Sequence, residues 1–338
     1  MKRAIGLVSA LLCLFVVSSA AAQFPGDLEG TLIVLNKSGN DASFIDLGSG
    51  EIIATLATGR GPHELVVTDD GRWAIATDYS GGNSLTVFDV ENLVVTRTID
   101  FSSYPRPHGI LLLPGQEEVI VTSEASRTLV IVNFHLGEIV RTIETNQNGS
   151  HMVAVSADGT RAYTSNGGAN SVSVIDVTNG QFVKAIAVPA RPEAITTNKA
   201  GDEIWVGSND DAVVSVIDPE DGSIISQWPG FDWPYRILLT DDERYAVMPD
   251  LNRNNLRFFD ARSKRELGSI DLAGIRPEGV TLYPDDRTLL LSSAALDKVL
   301  VIDIESRAVL GEYDTGSAPD GIGYSQLVLR KTIERGRR

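Results

Sequence analysis

Cysteine is almost absent from this chain of 338 residues. The one cysteine, Cys13, lies in an apolar run near the N-terminus. The residues before it, Ala10-Leu11-Leu12, lack the small residue that precedes a lipid-modified cysteine. From Gln23 onward the chain has no thiol, which excludes a disulfide, an iron–sulfur cluster and a covalently attached c-type haem from that part.

Long apolar runs are missing after the first twenty residues, so no later segment is expected to span a bilayer. The N-terminus carries Lys2 and Arg3, then an uncharged apolar run over residues 4–20, then Ala20-Ala21-Ala22. This order is typical of a cleaved secretory signal peptide. We predict a signal peptide over residues 1–22 and a periplasmic or secreted protein.

Positive charge is scarce. Lys and Arg number 29 against 45 Asp and Glu, which gives a net charge of −16, or −18 without residues 1–22. Binding nucleic acid by neutralising phosphates is unfavourable for such a chain, so no nucleic-acid partner is expected. The only basic run ends the chain, and residues 331–338 are interpreted as a solvated tail. A nucleotide is not expected either, since no phosphate-binding glycine loop is present.

An internal repeat dominates the rest of the sequence. Seven strand-like segments each end in Asp or Asn, 42 to 44 residues apart: Asp46, Asp89, Asn133, Asp176, Asp218, Asp260 and Asp303. Each unit holds four runs rich in Val, Ile, Thr and Tyr, separated by Gly, Asp and Asn turns. Four-stranded units at this period predict an all-β fold, a seven-bladed β-propeller.

The phase of the repeat predicts how the ring closes. The first unit begins at its second strand, TLIVLN from Thr31, and lacks an innermost strand. That strand is expected from DGIGYSQLVL, residues 320–329. Seven units leave no room for a second domain, so residues 23–330 are predicted to form a single propeller.

The repeat resembles that of the YVTN-repeat propellers, a family of YncE-like periplasmic or secreted proteins. The segment SHMVAVSADGTRAYTSNGGANSVSVIDVTNGQFVKAI, residues 150–186, carries the resemblance most clearly, and the likeness covers all seven units. It implies the fold more specifically than an activity, because propellers host unrelated functions. Propellers similar to this one act as lyases, lactone hydrolases and oxidases.

One column of the repeat holds three of the four histidines. It is the residue before each innermost strand, and it reads His63, His108, His151, Glu193, Tyr235, Glu278 and Asp320. In a propeller the innermost strands surround the central channel, so these residues are expected side by side at one channel mouth. The fourth histidine, His135, falls in an outer hairpin on the opposite face.

A metal site is the sharpest interpretation of this column. Neutral imidazoles suit zinc, copper and iron, and a carboxylate commonly completes such a set. We predict His63, His108 and His151 as ligands of one divalent transition metal (Zn, Cu, Fe or Mn), with Glu193 as fourth ligand or as a partner of the ligands. The plainer alternative is that these are polar rim residues of a wet channel mouth.

Further polar residues are expected at the same mouth. The ends of the second strands are aligned as Asp78, Glu124, Asn166, Asn209, Asp250, Ala294 and Lys37, or Asn36 if the alignment slips by one. We predict Asp78, Glu124 or Glu278 as general base. Arg106, Arg191 and Arg276 are predicted to hold an anionic substrate, or alternatively to pair with neighbouring carboxylates. Trp233 and Tyr235 provide an aromatic wall for a small molecule.

Two functions are compatible with this pattern. The first is an exported, monomeric metal-dependent enzyme of lyase, lactonase or oxidase type that acts on a small anionic substrate. The second is a non-catalytic periplasmic module that uses the same face to bind a small molecule or a protein partner. A complete set of inward-facing acid–base groups around the histidines would favour the enzyme.

Overall fold

The computed structural model describes residues 27–329, and every regular secondary-structure element in that range is a β-strand. The strands form seven four-stranded antiparallel sheets, arranged as the blades of a seven-bladed β-propeller. The predicted fold is therefore confirmed. The predicted signal peptide and the basic tail, residues 331–338, lie outside the described residues.

Each blade is numbered by its place in the chain. Blade 1 contains β1 (Thr31–Asn36), β2 (Asp41–Asp46) and β3 (Ile52–Ala57). Blades 2 and 3 contain β4 (Pro62–Val67), β5 (Trp73–Asp78), β6 (Ser84–Asp89), β7 (Val94–Asp100), β8 (Pro107–Leu112), β9 (Glu118–Ser123), β10 (Thr128–Asn133) and β11 (Glu138–Glu144). Blades 4 and 5 contain β12 (Ser150–Val155), β13 (Arg161–Asn166), β14 (Ser171–Asp176), β15 (Gln181–Ala187), β16 (Pro192–Thr197), β17 (Ile204–Ser208), β18 (Val213–Ile217) and β19 (Ile224–Pro229).

The last two blades bring the chain back to its start. Blade 6 contains β20 (Leu238–Leu239), β21 (Tyr245–Asp250), β22 (Asn255–Asp260) and β23 (Arg265–Asp271). Blade 7 contains β24 (Pro277–Leu282), β25 (Thr288–Ser293), β26 (Lys298–Asp303) and β27 (Ala308–Asp314), and β28 (Pro319–Ser325) follows. Strand β28 pairs antiparallel with β1, from Thr31 opposite Ser325 to Asn36 opposite Pro319. The C-terminal strand thus completes blade 1 on its inner side, as the repeat phase predicts.

The core is divided among the blade interfaces. Seven clusters of buried apolar side chains occur in the described residues, and each joins two neighbouring blades. Phe44 of blade 1 and Phe88 of blade 2, for example, meet edge to face with ring centroids 5.6 Å apart. Both faces of each sheet are covered in this way, so aliphatic and aromatic residues fill both alternating positions of the middle strands.

A β-bulge interrupts the start of six of the seven innermost strands. In blade 2, Pro62 pairs with Asp78, but the next pair is Leu65 with Ala76, so His63 lies in the bulge. Blades 1, 3, 4, 5 and 7 show the same break one residue after the start of the strand. A bulge changes the direction of side chains and is common beside functional sites. The histidine column therefore lies inside the strands, at their second residue, whereas the sequence predicts it just before them.

Candidate metal site at the channel mouth

The bulges bring His63, His108 and His151 together at the axis. Their strands, β4, β8 and β12, are the innermost strands of blades 2, 3 and 4. The ring centroids lie 4.4 Å apart for His63 and His108, and 3.7 Å apart for His108 and His151. The repeat register alone places these side chains in one row.

Burial leaves the central histidine without hydrogen bonds. His108 has no exposed surface, and neither of its ring nitrogens has a hydrogen-bond partner. Burial lowers the pKa of His108 well below its usual value, and the neighbouring His151 and His63 lower it further. The pKa of His151 is lowered well below its usual value too, mainly by burial. His108 and His151 are therefore neutral, which is the form that binds metals.

Carboxylates flank the row at both ends. The Nδ1 atom of His63 contacts the Oδ2 atom of the fully buried Asp320. At the other end, Nε2 of His151 lies 3.4 Å from Oε1 of Glu193. Metal-binding imidazoles commonly pair their second nitrogen with a carboxylate, which fixes the ring orientation. Glu193 thus lies beside His151, and both of its predicted roles, fourth ligand and partner of a ligand, stay predictions.

A third donor comes from a residue that the sequence analysis missed. Ligand atoms of His63, Glu64 and His108 all lie within 4.8 Å of one another. The bulge turns two consecutive residues of β4 toward the axis, so Glu64 reaches the same space as His63. A signal was present in the sequence, since the equivalent residue is small in four other blades: Gly109, Ala194, Gly279 and Gly321.

Glu64 also takes part in an ion pair that crosses the channel. Its Oε1 atom contacts the guanidinium of Arg236, which comes from the start of blade 6. Both side chains are nearly buried, at 13% and 10% exposed. Burial raises the pKa of Glu64, while Arg236 and His63 oppose the rise. The pair separates the histidine row from the rest of the channel, a cavity of about 390 Å³ lined mainly by aliphatic side chains.

A second buried network surrounds Asp320. The hydroxyl of Tyr235 donates to Asp320 at 3.2 Å, and the Lys37 ammonium contacts the same carboxylate. Lys37 also lies 3.6 Å from Glu278, whose pKa is raised to about 7 by burial and by the charge of Asp320. Glu278 is thus at the mouth, as predicted. Tyr235, predicted to contact substrate, is buried against Asp320 instead of exposed as a wall.

Tyr79 covers the histidines on the solvent side. Its ring stacks on His63 at a centroid distance of 5.3 Å and meets His108 edge-on at 4.4 Å. Its hydroxyl donates to Oε2 of Glu124 at 2.7 Å, and the guanidinium of Arg106 lies 4.7 Å above its ring. Glu124 also lies 3.9 Å from Nδ1 of His151.

Register explains why Tyr79 was not singled out. Pro62 pairs with Asp78 and Pro107 pairs with Ser123, so Asp78 and Ser123 are equivalent. Glu124 stands one residue later, in the position of Tyr79. The predicted column of second-strand ends therefore combines two structural positions. Lys37 lies one residue after Asn36, the end of its strand, and Glu124, Asn209 and Ala294 likewise lie one residue after the ends of theirs.

The Asp78 carboxylate belongs to a different environment from Glu124 and Glu278. It is fully buried and accepts hydrogen bonds from Ser84 at 2.6 Å and Thr86 at 2.9 Å, within its own blade. Burial raises the pKa of Asp78 to about 6. The structure does not bring Asp78 into the group that contains the histidines.

The three predicted arginines lie at the rim, where each pairs with a carboxylate of its own blade. Arg106 pairs with Glu124 at 2.7 Å, Arg191 with Asp210 at 3.5 Å and Arg276 with Glu278 at 3.0 Å. Their side chains remain about half exposed. Trp233 lies under Arg191, whose guanidinium carbon is 4.4 Å from the ring centroid. The rim therefore offers guanidinium groups that solvent and small anions can reach.

Comparison with known proteins supports the fold alone. No family model and no curated protein matches the sequence. A periplasmic gluconolactonase of Pseudomonas aeruginosa has a similar structure, with a TM-score of 0.71 and 16% identity over 89% of this chain and 99% of that one. A functionally unknown protein from Desulfotomaculum acetoxidans gives a TM-score of 0.73 and 14% identity over 88% and 99%. Hydrazine synthase of Kuenenia stuttgartiensis gives 0.69 and 16% over 79% and 90%.

No helix within residues 27–329 has the length and apolar character needed to cross a membrane.

Proposed function

We propose that this chain is an exported, metal-dependent hydrolase of a small anionic lactone. The observation that carries the proposal is His108, a fully buried imidazole with two unpartnered nitrogens. A buried polar group without a hydrogen bond costs on the order of 1–3 kcal/mol, so such a group needs a ligand or another compensation. A metal bound to His63, Glu64 and His108 would supply it.

The donor set fits a divalent transition metal. Two neutral imidazoles and one carboxylate can bind zinc, copper, iron or manganese, so this donor set does not identify the metal. Asp320 and Glu193 orient the outer two rings. A metal bound here would act as a Lewis acid on a carbonyl oxygen and lower the pKa of a bound water.

The chain's own residues provide the remaining functions. Glu124 and Glu278 border the histidine row, and we assign proton transfer to these two carboxylates. Glu278 is suited to it because its pKa of about 7 is close to neutral pH. The rim arginines, Arg106, Arg191 and Arg276, would bind the anionic group of the substrate. We assign Asp78 to the fold and not to the reaction.

Lactone hydrolysis is the chemistry we favour. Water adds across the ester bond, the carbonyl carbon gains the hydroxyl, and the ring oxygen leaves as an alcohol with a proton. The propeller of a periplasmic gluconolactonase covers nearly the whole chain, and the repeat resembles that of the exported YVTN-repeat family, to which we infer this chain belongs. Both support a protein that acts outside the cytoplasm.

Metal analysis of protein purified without a histidine tag tests the proposal. We expect one equivalent of metal in the wild type and a loss of it in the triple variant His63→Ala, His108→Ala, His151→Ala. His135→Ala is the matched control and should retain the metal. A wild type that contains no metal, and takes up no added zinc, copper, iron or manganese, would exclude the metal site.

A panel of sugar-acid lactones, followed by acid release, tests the activity. We expect hydrolysis that is lost on Glu64→Gln. One other function, a binding module without catalytic turnover, is favoured by the pairing of the rim arginines with neighbouring carboxylates. Stoichiometric metal without hydrolysis of any lactone would support that module over the hydrolase.

A further inference from the structure

Tyr79 separates His63 and His108 from the exposed rim. From solvent inward, the order is the half-exposed Arg106, the half-buried Tyr79 ring, and then His63 and His108 beneath it. The two histidines are 6% and 0% exposed. A molecule approaching from this mouth therefore meets Tyr79 before it meets these two imidazoles.

The main chain at Tyr79 is fixed. The backbone N–H groups of Tyr79 and Ser80 both donate to the carbonyl of Gly61, at 3.0 and 3.1 Å. Gly61 has a φ of +58°, and a Cβ atom there would collide with Ser80. Because the loop is held so closely, the ring can leave the histidines only by rotation about its own side-chain bonds.

One carboxylate holds the ring in place. The Oε2 atom of Glu124 accepts the Tyr79 hydroxyl at 2.7 Å and the Nε–H of Arg106 at 3.0 Å. The Arg106 guanidinium also contacts the Tyr79 hydroxyl directly. Glu124 thus occupies the anion-binding side of an arginine that is 53% exposed. A carboxylate arriving from solvent has the same chemistry as Glu124 and can compete for the same donors.

The geometry points to Tyr79 as a side-chain cover that a carboxylate-bearing substrate opens by replacing Glu124 on Arg106. This inference rests on the proposed function, and it restricts the substrates of the proposed hydrolase to small molecules with a free carboxylate. Tyr79 is a positioning residue here, since it controls access and does not react.

The four histidines allow a direct test with diethyl pyrocarbonate, which labels accessible imidazoles. Metal-free wild type should label rapidly at His135, which is exposed on the opposite face, and slowly at His63 and His108. Minor conformations are commonly populated at about 0.1–10%, so Tyr79→Ala should raise labelling of His63 and His108 by about tenfold or more. Tyr283→Ala, a partly buried tyrosine away from the site, is the matched control and should change neither rate.

Succinate is the probe for opening by a carboxylate. It should accelerate labelling of His63 and His108 in the wild type, while the neutral succinamide and equal ionic strength of sodium chloride should not. Tyr79→Phe, which keeps the ring and loses the hydroxyl, should label faster than wild type and respond less to succinate. Arg106→Gln should abolish the response. If Tyr79→Ala does not fold, as judged by circular dichroism, these two variants decide the test.

Two results would overturn the inference. Equal labelling of His63 and His108 in the wild type and in Tyr79→Ala would show that the ring is not a cover. A succinate response that survives in Arg106→Gln would show that the anion acts elsewhere. Since labelling is measured without metal, either result leaves the metal proposal standing, and absence of metal uptake leaves the cover standing.

Discussion

The Nδ1 atom of His63 in β4 lies against the Oδ2 atom of Asp320 in β28, so the strand that closes the ring also orients a residue of the candidate site. Burial alone would raise the pKa of Asp320, but His63 and Lys37 outweigh it and hold the pKa below its usual range. The carboxylate is therefore charged when it holds the imidazole.

Asp320→Asn should weaken metal binding without abolishing it. The amide keeps the size of the side chain but loses the charge that fixes the His63 ring, and such partners are worth about 10–100-fold in metal affinity. Competition with a chromogenic chelator measures the change. Asp314→Asn, on the exposed end of β27, is the control. Equal affinity in Asp320→Asn and wild type would mean that His63 is not a ligand.

The Glu64–Arg236 pair should show strong coupling in unfolding experiments. Replacing Glu64 with Leu leaves Arg236 buried without its partner, and losing one member of a buried pair costs about 3–5 kcal/mol. The double variant Glu64→Leu, Arg236→Leu should recover most of this loss. Urea unfolding with a chelator present, as a double-mutant cycle, measures it.

The exposed pair Arg161–Glu220 provides the comparison for that cycle. Its side chains are 46% and 67% exposed, and surface pairs contribute about 0–1 kcal/mol. The free-energy losses of the two single variants, Glu64→Leu and Arg236→Leu, could instead add up to the loss of the double variant, as expected for the exposed pair. That result would contradict a direct contact across the channel.

The fold could be predicted because its signals are local and repeated. Strand runs end in Asp or Asn at Asp46 and six equivalent positions, and each unit buries apolar residues against its neighbours. The closing strand followed from phase alone, since the first unit starts at Thr31 with its second strand. The histidine row followed for the same reason, because residues one repeat apart become neighbours around the axis.

The remaining site residues depend on a feature that periodicity cannot show. A bulge in β4 turns both His63 and Glu64 toward the axis, whereas strict alternation points them to opposite faces. Arg236 lies four blades further along the chain, at the repeat position equivalent to Glu64, but periodicity alone does not show that these two side chains meet across the channel. Tyr79 was missed because an alignment without pairing register cannot distinguish the end of β5 from the residue after it.

Asp78→Asn should stabilise the protein at pH 7 and have little effect at pH 4. Burial raises the pKa of Asp78 in the folded state to about 6 from 3.8. The folded state therefore holds this proton more tightly, and stability from this group falls as pH rises between those values. Each pKa unit is worth about 1.4 kcal/mol, so the relief at pH 7 should be up to about 3 kcal/mol.

Blade 4 shows that asparagine fits the position of Asp78. Asn166 occupies the equivalent place and donates to Ser171 and Ser173, whose counterparts in blade 2 are Ser84 and Thr86. Unfolding free energies at pH 4 and pH 7 for wild type, Asp78→Asn and Asp314→Asn measure the effect. A difference between wild type and Asp78→Asn that is the same at both pH values would contradict the raised pKa.

The close approach of the innermost strands should make alanine destabilising at two glycine positions. A Cβ atom on Gly279 would collide with the backbone oxygen of Asp320, and one on Gly321 would collide with that of His63. Both contacts are with backbone of the next blade, which cannot rotate away. Gly279→Ala and Gly321→Ala should each cost about 1–3 kcal/mol, the range for overpacking.

Gly109→Ala should cost less, because the nearest atoms, the Met152 Cα and the Val153 nitrogen, lie at 2.8 Å. Blade 5 already carries Ala194 at this position, and Ala194→Gly should cost no more than about 1 kcal/mol. Urea unfolding of the four variants gives the order. Since the same contacts set the spacing of His63 from its neighbours, the least stable variants should also bind metal most weakly. Wild-type stability in Gly279→Ala would show that the blades lie further apart at the axis than these contacts require.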